Sequence, residues 1–351
     1  MTTNLRIILV LGLLLAACSS TAVAAQGAMT TQGQQAQVSS VESDGIDLTK
    51  LPIGDGKYST SPKQGYVFSC ITSFVNPNQA GARATGAWYN AAAGTYDLTI
   101  KPTVDGQVSW TSQFTIMLQG NNRVITGNDL PTHTTGQYPV SRSDDAFQYD
   151  GNPNSIKSQT MQLTLPATPT INAQPTCVGG TVGVMLTGSY IFSAFDAGGR
   201  DAVAHELQDA CGGHPQQAGV YHYHSLSPCA TDAALGHSAL VGYALDGFGI
   251  YGHHGENNIA LTNADLDVCH GHTHEIEWDG KTVEMYHYHA TAEFPYTVSC
   301  FRGSAVRMNI GGAQQGGANA QQPGGSQTNG GGQPGAGVPP TRPNPVRPQR
   351  P

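Results

Sequence analysis

Two segments of this chain carry the same long pattern of residues, and this repeat limits the folds that the chain can adopt. The copies span residues 209–229 and 267–300, and each begins with Asp-x-Cys-x-Gly-His. Each continues to a Tyr-His-Tyr-His tetrad and ends at a further Cys. Because chance explains a match of this length poorly, the repeat predicts two similar half-sites, which we expect to face each other.

The tetrads place their histidines at the spacing that a β-strand uses for one face. Alternate side chains of a strand point to the same side, so the histidines would point one way and the tyrosines would pack into the core. Two imidazoles rooted about 7 Å apart on a strand can converge on one ion, and neutral imidazole suits zinc, copper, iron and nickel. The sequence therefore predicts a copper or zinc ion held by the tetrad histidines and by the two that follow Gly, namely His222, His224, His287, His289, His214 and His272.

A hydrogen-bonded histidine network without an ion is the alternative interpretation of these residues. His270 and His274 add two histidines to the second copy only, and His205 is interpreted as an ordinary polar residue of a helix. Asp246 precedes Gly-Phe-Gly between the copies, where it either forms an Asx turn or orients a ligand imidazole. The histidines in Gly-rich loop sequence are interpreted as polar loop residues first and as ligands second: His237, His253 and His254.

The cysteine content predicts a disulfide-bonded, exported protein. The chain has seven cysteines, and an even set of six remains if Cys18 is modified, which is typical of exported proteins with three disulfides. Six cysteines leave several pairings open, but the repeat favours local bridges within each copy. The preferred pairs are Cys211–Cys229 and Cys269–Cys300, which leave Cys70–Cys177.

The first residues of the chain have the pattern of an export signal peptide. Residues 1–17 contain Arg6 and then an apolar run that is shorter than the roughly 20 residues needed to span a bilayer. The run ends in Leu-Ala-Ala-Cys18, which resembles a bacterial lipobox, so Cys18 is predicted to be lipidated and to anchor the protein in the cell envelope. Cleavage after Ala24 is the alternative and would release a fully secreted protein.

Composition divides the rest of the chain into three parts. Residues 18–45 are rich in Ser, Thr, Gln and Ala and are predicted to form a flexible tether. Residues 312–351 are rich in Gly, Pro and Gln and are predicted to be disordered, because they cannot bury enough apolar surface to offset the entropy of ordering. The folded region is therefore predicted to span residues 46–311.

Within that region, strand patterns dominate over helical ones. Runs rich in β-branched and aromatic residues between turn formers predict strands at residues 66–70, 94–100, 114–118, 181–186 and 190–192. Apolar residues at helical spacing predict one helix from Arg200 to Ala210, and Thr262 is suited to cap a short helical turn. The predicted fold class is mainly β with a few short helices, with duplicated half-sites stabilised by disulfides.

Charge excludes one class of partner. The formal net charge is −8 and only 11% of the residues are charged, and the sequence contains no basic patch. Nucleic acid is therefore not an expected partner, and membrane contact is expected only through the lipid anchor. The partner that the sequence does predict is a metal ion, while protein partners are left undetermined.

These residues together resemble the YHYH-domain family of exported bacterial proteins. The resemblance covers about residues 120–305. Besides the two copies, it includes Gly127-Asn-Asp-Leu-Pro-Thr-His133, Gly151-Asn-Pro-Asn-Ser-Ile156, Leu245-Asp-Gly-Phe-Gly-Ile-Tyr251 and Phe294-Pro-Tyr-Thr-Val-Ser-Cys-Phe-Arg-Gly303. The resemblance implies an exported domain and brings no particular activity, substrate or cofactor with it. It draws attention to His133, which stands in a family motif far from the other histidines.

Three functions fit the sequence. The first is copper or zinc binding by an envelope protein, with steep release of the ion in acid because protons compete for the imidazoles. The second is a metal-dependent hydrolase or oxidoreductase, for which Asp246, Glu256 and Glu206 are candidate bases. The third is a structural or interaction module with a non-metal histidine network.

Overall fold

The computed structural model describes residues 46–74, 82–232 and 236–308. The predicted signal peptide with Cys18, the tether, the alternative cleavage point and the Gly/Pro-rich tail lie outside these residues. Over the described ranges, the helices are all too short or too polar to cross a membrane.

The described residues are mainly β-structure, which confirms the predicted fold class. The strands are β1 (Leu51–Pro52), β2 (Tyr58–Ser59), β3 (Val67–Phe68), β4 (Tyr89–Asn90), β5 (Thr95–Tyr96), β6 (Phe114–Gln119), β7 (Asn122–Gly127), β8 (Met161–Pro166), β9 (Thr181–Met185), β10 (Tyr190–Phe192), β11 (Gly213–Pro215), β12 (Tyr221–Tyr223), β13 (Leu240–Ala244), β14 (Gly249–Tyr251), β15 (Gly271–Trp278) and β16 (Lys281–His289). The α-helix α1 spans Ala202–His205, and 3-10 turns span Asp145–Gln148, Glu256–Asn258 and Asn263–Asp265.

An eight-stranded sheet holds both copies of the repeat. Its order is β11-β12-β10-β9-β13-β14-β16-β15, with β9 and β13 antiparallel at its centre. Outward from β9, the strand β10 pairs antiparallel, β12 then pairs parallel, and the edge strand β11 pairs antiparallel. Outward from β13, the strands β14, β16 and β15 pair in the same sequence of directions. The sheet is therefore a duplication of four strands.

The register of the central pair shows how the two halves are related. Val184 lies opposite Tyr243, and these two residues hold the same position when residues 181–192 are aligned with 240–251 without a gap. In an antiparallel pair, a local two-fold axis perpendicular to the sheet relates opposite residues. Equivalent side chains of the two halves therefore lie on the same face of the sheet. The repeat is also longer than the motifs indicated, because it begins at the central strands.

Two equivalent glycines allow the central strands to meet. A Cβ on Gly183 would lie 2.5 Å from the carbonyl oxygen of Tyr243, and one on Gly242 would lie 2.6 Å from that of Val184. A side chain at either position would collide with the backbone of the partner strand, so close backbone approach explains the glycines. Each half thus contributes one glycine that allows close contact between β9 and β13.

The predicted helix is wrong in extent. Asp201 caps its start by accepting a hydrogen bond from the amide of Ala204, but the helix ends at Glu206, which is extended. The backbone groups that follow bind elsewhere: the amide of Leu207 donates to Asp150 (3.1 Å), and the Lys101 ammonium donates to the carbonyl of Glu206 (2.6 Å). These tertiary bonds replace the helical ones and direct the chain at Glu206 toward the sheet.

The predicted disulfides and the predicted cap are confirmed, whereas two predicted strands are shorter than expected. All three preferred disulfides are present, Cys70–Cys177, Cys211–Cys229 and Cys269–Cys300. Thr262 caps the turn at Asn263–Asp265 by accepting the amide of Ala264. The strands predicted at 66–70 and 94–100 are shortened to two residues each, whereas those in the eight-stranded sheet are close to their predicted lengths.

Candidate metal centres

The first tyrosine of each tetrad is held by the Asp that begins the copy. One oxygen of Asp209 accepts the amides two and four residues ahead, at 2.9 and 3.2 Å, and the carboxylate also accepts the hydroxyl of Tyr221. Asp267 makes the same two amide bonds, at 2.8 and 3.2 Å, and accepts the hydroxyl of Tyr286 at 3.0 Å. The Asp-x-Cys-x-Gly segment is therefore a turn that positions the tetrad strand.

The second tyrosine of each tetrad also hydrogen-bonds away from the histidines. The Tyr223 hydroxyl contacts Thr187 at 2.9 Å and the Nε2 atom of His133 at 2.6 Å, and the Tyr288 hydroxyl donates to Asp246 at 2.6 Å. The other oxygen of Asp246 accepts the amide two residues ahead, which is the predicted Asx turn. The candidate residues His133 and Asp246 therefore hydrogen-bond to the second tyrosines of the tetrads. The suggestion that Asp246 orients an imidazole is wrong, because its carboxylate accepts from Tyr288 instead.

Gly213 in the turn of the first copy leaves room for the ring of Tyr221, so a larger residue at position 213 is predicted to destabilise the fold. A Cβ on Gly213 would lie 2.3 Å from the hydroxyl oxygen of Tyr221, so Gly213→Ala is expected to lower the free energy of unfolding by about 1–3 kcal/mol through overpacking. Gly179→Ala is the matched control, since nothing lies within 4 Å of its Cβ position. Urea unfolding of both variants measures the effect. Equal stability of the two variants would contradict the tight packing at Gly213.

The histidines of the first tetrad lie in one buried group. We call His214, His222, His224 and Glu206 the first histidine site. His214 on β11 lies opposite His222 on β12, and adjacent strands keep opposite side chains on one face. All four side chains are buried, with exposed fractions between 3% and 9%. The Oε2 atom of Glu206 lies 3.5 Å from Nε2 of His214 and 3.4 Å from Nε2 of His224.

Backbone carbonyls fix the imidazoles of this site. The Nδ1 atom of His224 lies 2.6 Å from the carbonyl oxygen of Ser193, and that of His222 lies 3.2 Å from the carbonyl oxygen of Val220. A carbonyl oxygen only accepts, so each Nδ1 carries the proton and each Nε2 presents a lone pair. Those two Nε2 atoms are 3.2 Å apart. Two lone pairs at that distance repel each other unless a cation lies between them.

The remaining polar atoms of the site are buried without hydrogen bonds. Both ring nitrogens of His214 and the Oε2 atom of Glu206 lack a hydrogen-bond partner among the described residues. Burial raises the pKa of Glu206 well above the usual range of a glutamate. It lowers the pKa of His214 well below the usual range of a histidine. Burial also lowers the pKa of His224 to about 4. Burial therefore favours the neutral form of these groups, and a divalent ion would favour the charged carboxylate of Glu206.

A second group forms around the second tetrad. We call His237, His272, His274, His287 and His289 the second histidine site, whose ligand nitrogens all lie within 4.8 Å of one another. His272 on β15 lies opposite His287 on β16. Tetrad residues His287 and His289 are fully buried, whereas the other three are half-buried. Burial lowers the pKa of His287 to about 2 and that of His272 to about 4.

The same carbonyl arrangement recurs in the second site. Four of its histidines place Nδ1 at 2.7–3.0 Å from a backbone carbonyl oxygen: His289 with Gly252, His287 with Met285, His237 with Ser238 and His274 with Glu275. Their Nε2 atoms therefore present lone pairs toward the group. Nε2 of His237 and His289 are 3.1 Å apart, and Nε2 of His287 is buried without a hydrogen-bond partner among the described residues.

The two sites are separate, so the expectation that the tetrads face each other across one ion is wrong. Strands β12 and β16 are five strand spacings apart in the sheet, or about 24 Å. The duplicated halves flank the central β9–β13 pair and place their tetrads outward from it. Each tetrad instead meets the His that follows Gly in its own copy, His214 or His272.

The structure also shows the contacts of two further histidines, which lie outside both sites. Nε2 of His205 contacts Asp55 at 2.9 Å, outside both sites. His270 pairs both ring nitrogens, with the carbonyl oxygen of His289 (2.8 Å) and the hydroxyl of Thr291 (3.1 Å). Sequence reasoning treated His237 as a loop residue and Glu206 only as a candidate base. Neither belongs to a repeated motif, so the repeat gave no signal for them.

Fold and sites together define a duplicated β-sheet protein with one histidine site in each half. Residues 162–263 match the model of the family described as "YHYH protein", so this chain contains a YHYH domain, as its motifs indicated. The match includes the first site and His237 but ends before β15 and β16. Comparison with curated proteins and with solved structures gave no match.

Proposed function

We propose that this chain is an exported, lipid-anchored protein that binds a copper or zinc ion at each of its two histidine sites. The observation that carries the proposal is the orientation of the imidazoles. Six of them direct Nδ1 at a backbone carbonyl oxygen, and four of these bring their Nε2 lone pairs within 3.2 Å of one another in two pairs. A carbonyl partner on one ring nitrogen is the usual arrangement of metal-ligating histidine.

Histidines elsewhere in the same chain show what a network without an ion looks like. His133 and His270 also place Nδ1 against a carbonyl oxygen, but the Nε2 atom of each meets a hydroxyl group, of Tyr223 and Thr291. Both nitrogens are then satisfied, as buried polar groups usually are. Within the two sites, the Nδ1 contacts leave the Nε2 atoms of four histidines as acceptors that meet one another, which favours a cation over a structural network: His222 with His224, and His237 with His289.

Metal-dependent catalysis is the alternative, and the two sites differ in how well they fit it. Water activation needs an open coordination position and a nearby base. The donors of the first site are all buried among the described residues, which does not favour catalysis there. At the second site, three donors are half-buried, and the exposed candidate base Glu256 lies 3.4 Å from Nδ1 of His274, the ring nitrogen that faces away from the other donors.

The exported location is part of the proposal. Three disulfides join the described residues, and disulfides form and persist in oxidising compartments such as the periplasm or the cell surface. Lipidation of Cys18 would hold the domain near a membrane without placing protein within it. Cleavage after Ala24 would release the same domain, and its histidine sites would be unchanged.

The direct test is the metal content of full-length protein purified without an affinity tag or chelator. We expect about one ion per site in the wild type, as one set of converging imidazoles holds one ion. His222→Gln with His224→Gln should remove the ion of the first site, and His287→Gln with His289→Gln that of the second. His205→Gln is the matched control and should retain both. Equal metal content in all four proteins would refute the proposal.

A further inference from the structure

We propose that the two sites hold different ions, zinc in the first and copper(II) in the second. This inference rests on the proposed function, since it assigns a metal to each site that the function requires. The sites come from one duplication, but their donor sets have diverged in number, atom type and exposure. Each of these differences affects the choice between a tetrahedral and a tetragonal ion.

The first site has the donor set of a four-coordinate zinc. It offers three imidazole nitrogens and one carboxylate oxygen, and zinc accepts both types in tetrahedral geometry. With bonds of about 2.0–2.1 Å, tetrahedral ligands lie about 3.3–3.4 Å apart. The measured separations are 3.2 Å for His222 and His224, 3.4 Å for His224 and Glu206, and 3.5 Å for His214 and Glu206. These three separations match tetrahedral spacing, and the ligand atoms of the three histidines all lie within 4.8 Å of one another.

The second site offers more donors, and all of them are nitrogen. Five imidazoles exceed the four positions of a tetrahedral ion, and a nitrogen-rich tetragonal set is typical of copper(II). At a bond length of about 2.0 Å, ligands at right angles lie about 2.8 Å apart, whereas tetrahedral ligands lie about 3.3 Å apart. Nε2 atoms lie 3.1 Å apart for His237 and His289, and 3.0 Å apart for His272 and His274. The 3.0 Å separation is closer to the right-angle spacing, and the 3.1 Å separation lies between the right-angle and the tetrahedral spacings.

Access to solvent lets each ion remain in its own site. Nitrogen donors bind copper(II) more tightly than zinc, so affinity alone would place copper in both. Every donor of the first site is at most 9% exposed, so an ion bound there exchanges only when the fold opens. Three donors of the second site, His237, His272 and His274, are half-buried. Copper supplied to the folded protein therefore reaches the second site first.

The experiment loads full-length protein with zinc, removes weakly bound ions by dialysis and adds two equivalents of copper(II). Electron paramagnetic resonance then reports copper and its nitrogen ligands, and elemental analysis reports zinc. The wild type should retain about one zinc and bind about one tetragonal, nitrogen-coordinated copper. His287→Gln with His289→Gln should lose the copper signal and keep the zinc. His222→Gln with His224→Gln should lose the zinc and keep the copper signal.

The outcomes separate this inference from the proposed function. Two coppers per chain with no zinc, or two zincs with no copper, would overturn the assignment while leaving metal binding intact. Loss of the copper signal in the first-site variant rather than the second-site variant would reverse the assignment and overturn it equally. If neither ion binds to any of the proteins, the proposed function itself fails.

Discussion

Removing the bound metal is expected to lower the melting temperature of this protein by about 8–16 °C for each site that was saturated. A ligand present at about 1,000 times its dissociation constant stabilises the native state by about 4 kcal/mol. In a domain of about 150–250 residues, each kcal/mol corresponds to about 2–4 °C. Calorimetry of the metal-loaded protein and of the same protein after chelation and dialysis gives the difference directly.

The control for this shift is a protein in which both sites are changed. The variant that combines His222→Gln, His224→Gln, His287→Gln and His289→Gln keeps all three disulfides, so it should still fold, and chelation should leave its melting temperature unchanged. Adding metal back to the wild type should restore the higher value. A wild type that melts at one temperature in the presence of metal and of chelator would show that the imidazoles are a structural network.

Acid is expected to remove the stability that the buried histidines give the metal-free protein, beginning below about pH 6.5. Burial lowers the pKa of His224 and of His270 to about 4 and that of His287 to about 2, whereas an unfolded histidine titrates near about 6.5. Between these values the unfolded chain binds protons that the folded chain excludes. The stability these groups provide is therefore complete above about pH 6.5 and is lost as pH falls, by about 1.4 kcal/mol per pH unit for each excluded proton.

His270 lies outside both sites, so changing it tests the contribution of a single buried histidine to the pH dependence of stability. His270→Gln should reduce the slope of unfolding free energy against pH by about 1.4 kcal/mol per unit between about pH 4 and 6.5. Denaturant unfolding of the metal-free wild type and variant across that range measures both slopes. Identical slopes would mean that His270 is protonated in the folded state and that its burial has no such consequence.

This acid response changes how the sequence-based hypothesis of metal release can be tested. Protons compete with metal for imidazole, but the buried histidines make the metal-free protein acid-sensitive as well. The contribution of the histidines to stability is therefore expected to fall in acid with or without an ion. Dependence on added metal at constant pH separates the two interpretations, and metal should move the acid transition to lower pH.

The sequence by itself determined the local features of the fold and most of the donor residues. Period-two alternation in the tetrads requires histidines and tyrosines on opposite faces of a strand, and the contacts of His222 and Tyr221 follow that pattern. The repeated Asp-x-Cys-x-Gly-His segment indicated which disulfides form and which histidine joins each tetrad. These features depend on residues close together in the chain, and their geometry is set by the backbone.

Tertiary structure alone decided how many sites there are and what completes them. Antiparallel pairing of Val184 with Tyr243 places the two tetrads on outer strands of one sheet, so they form two sites rather than one. Glu206 enters the first site because hydrogen bonds from Lys101 and to Asp150 end the helix early. His237 enters the second from a loop. Such contacts depend on the pairing of distant strands, which the local residue pattern around either tetrad does not encode.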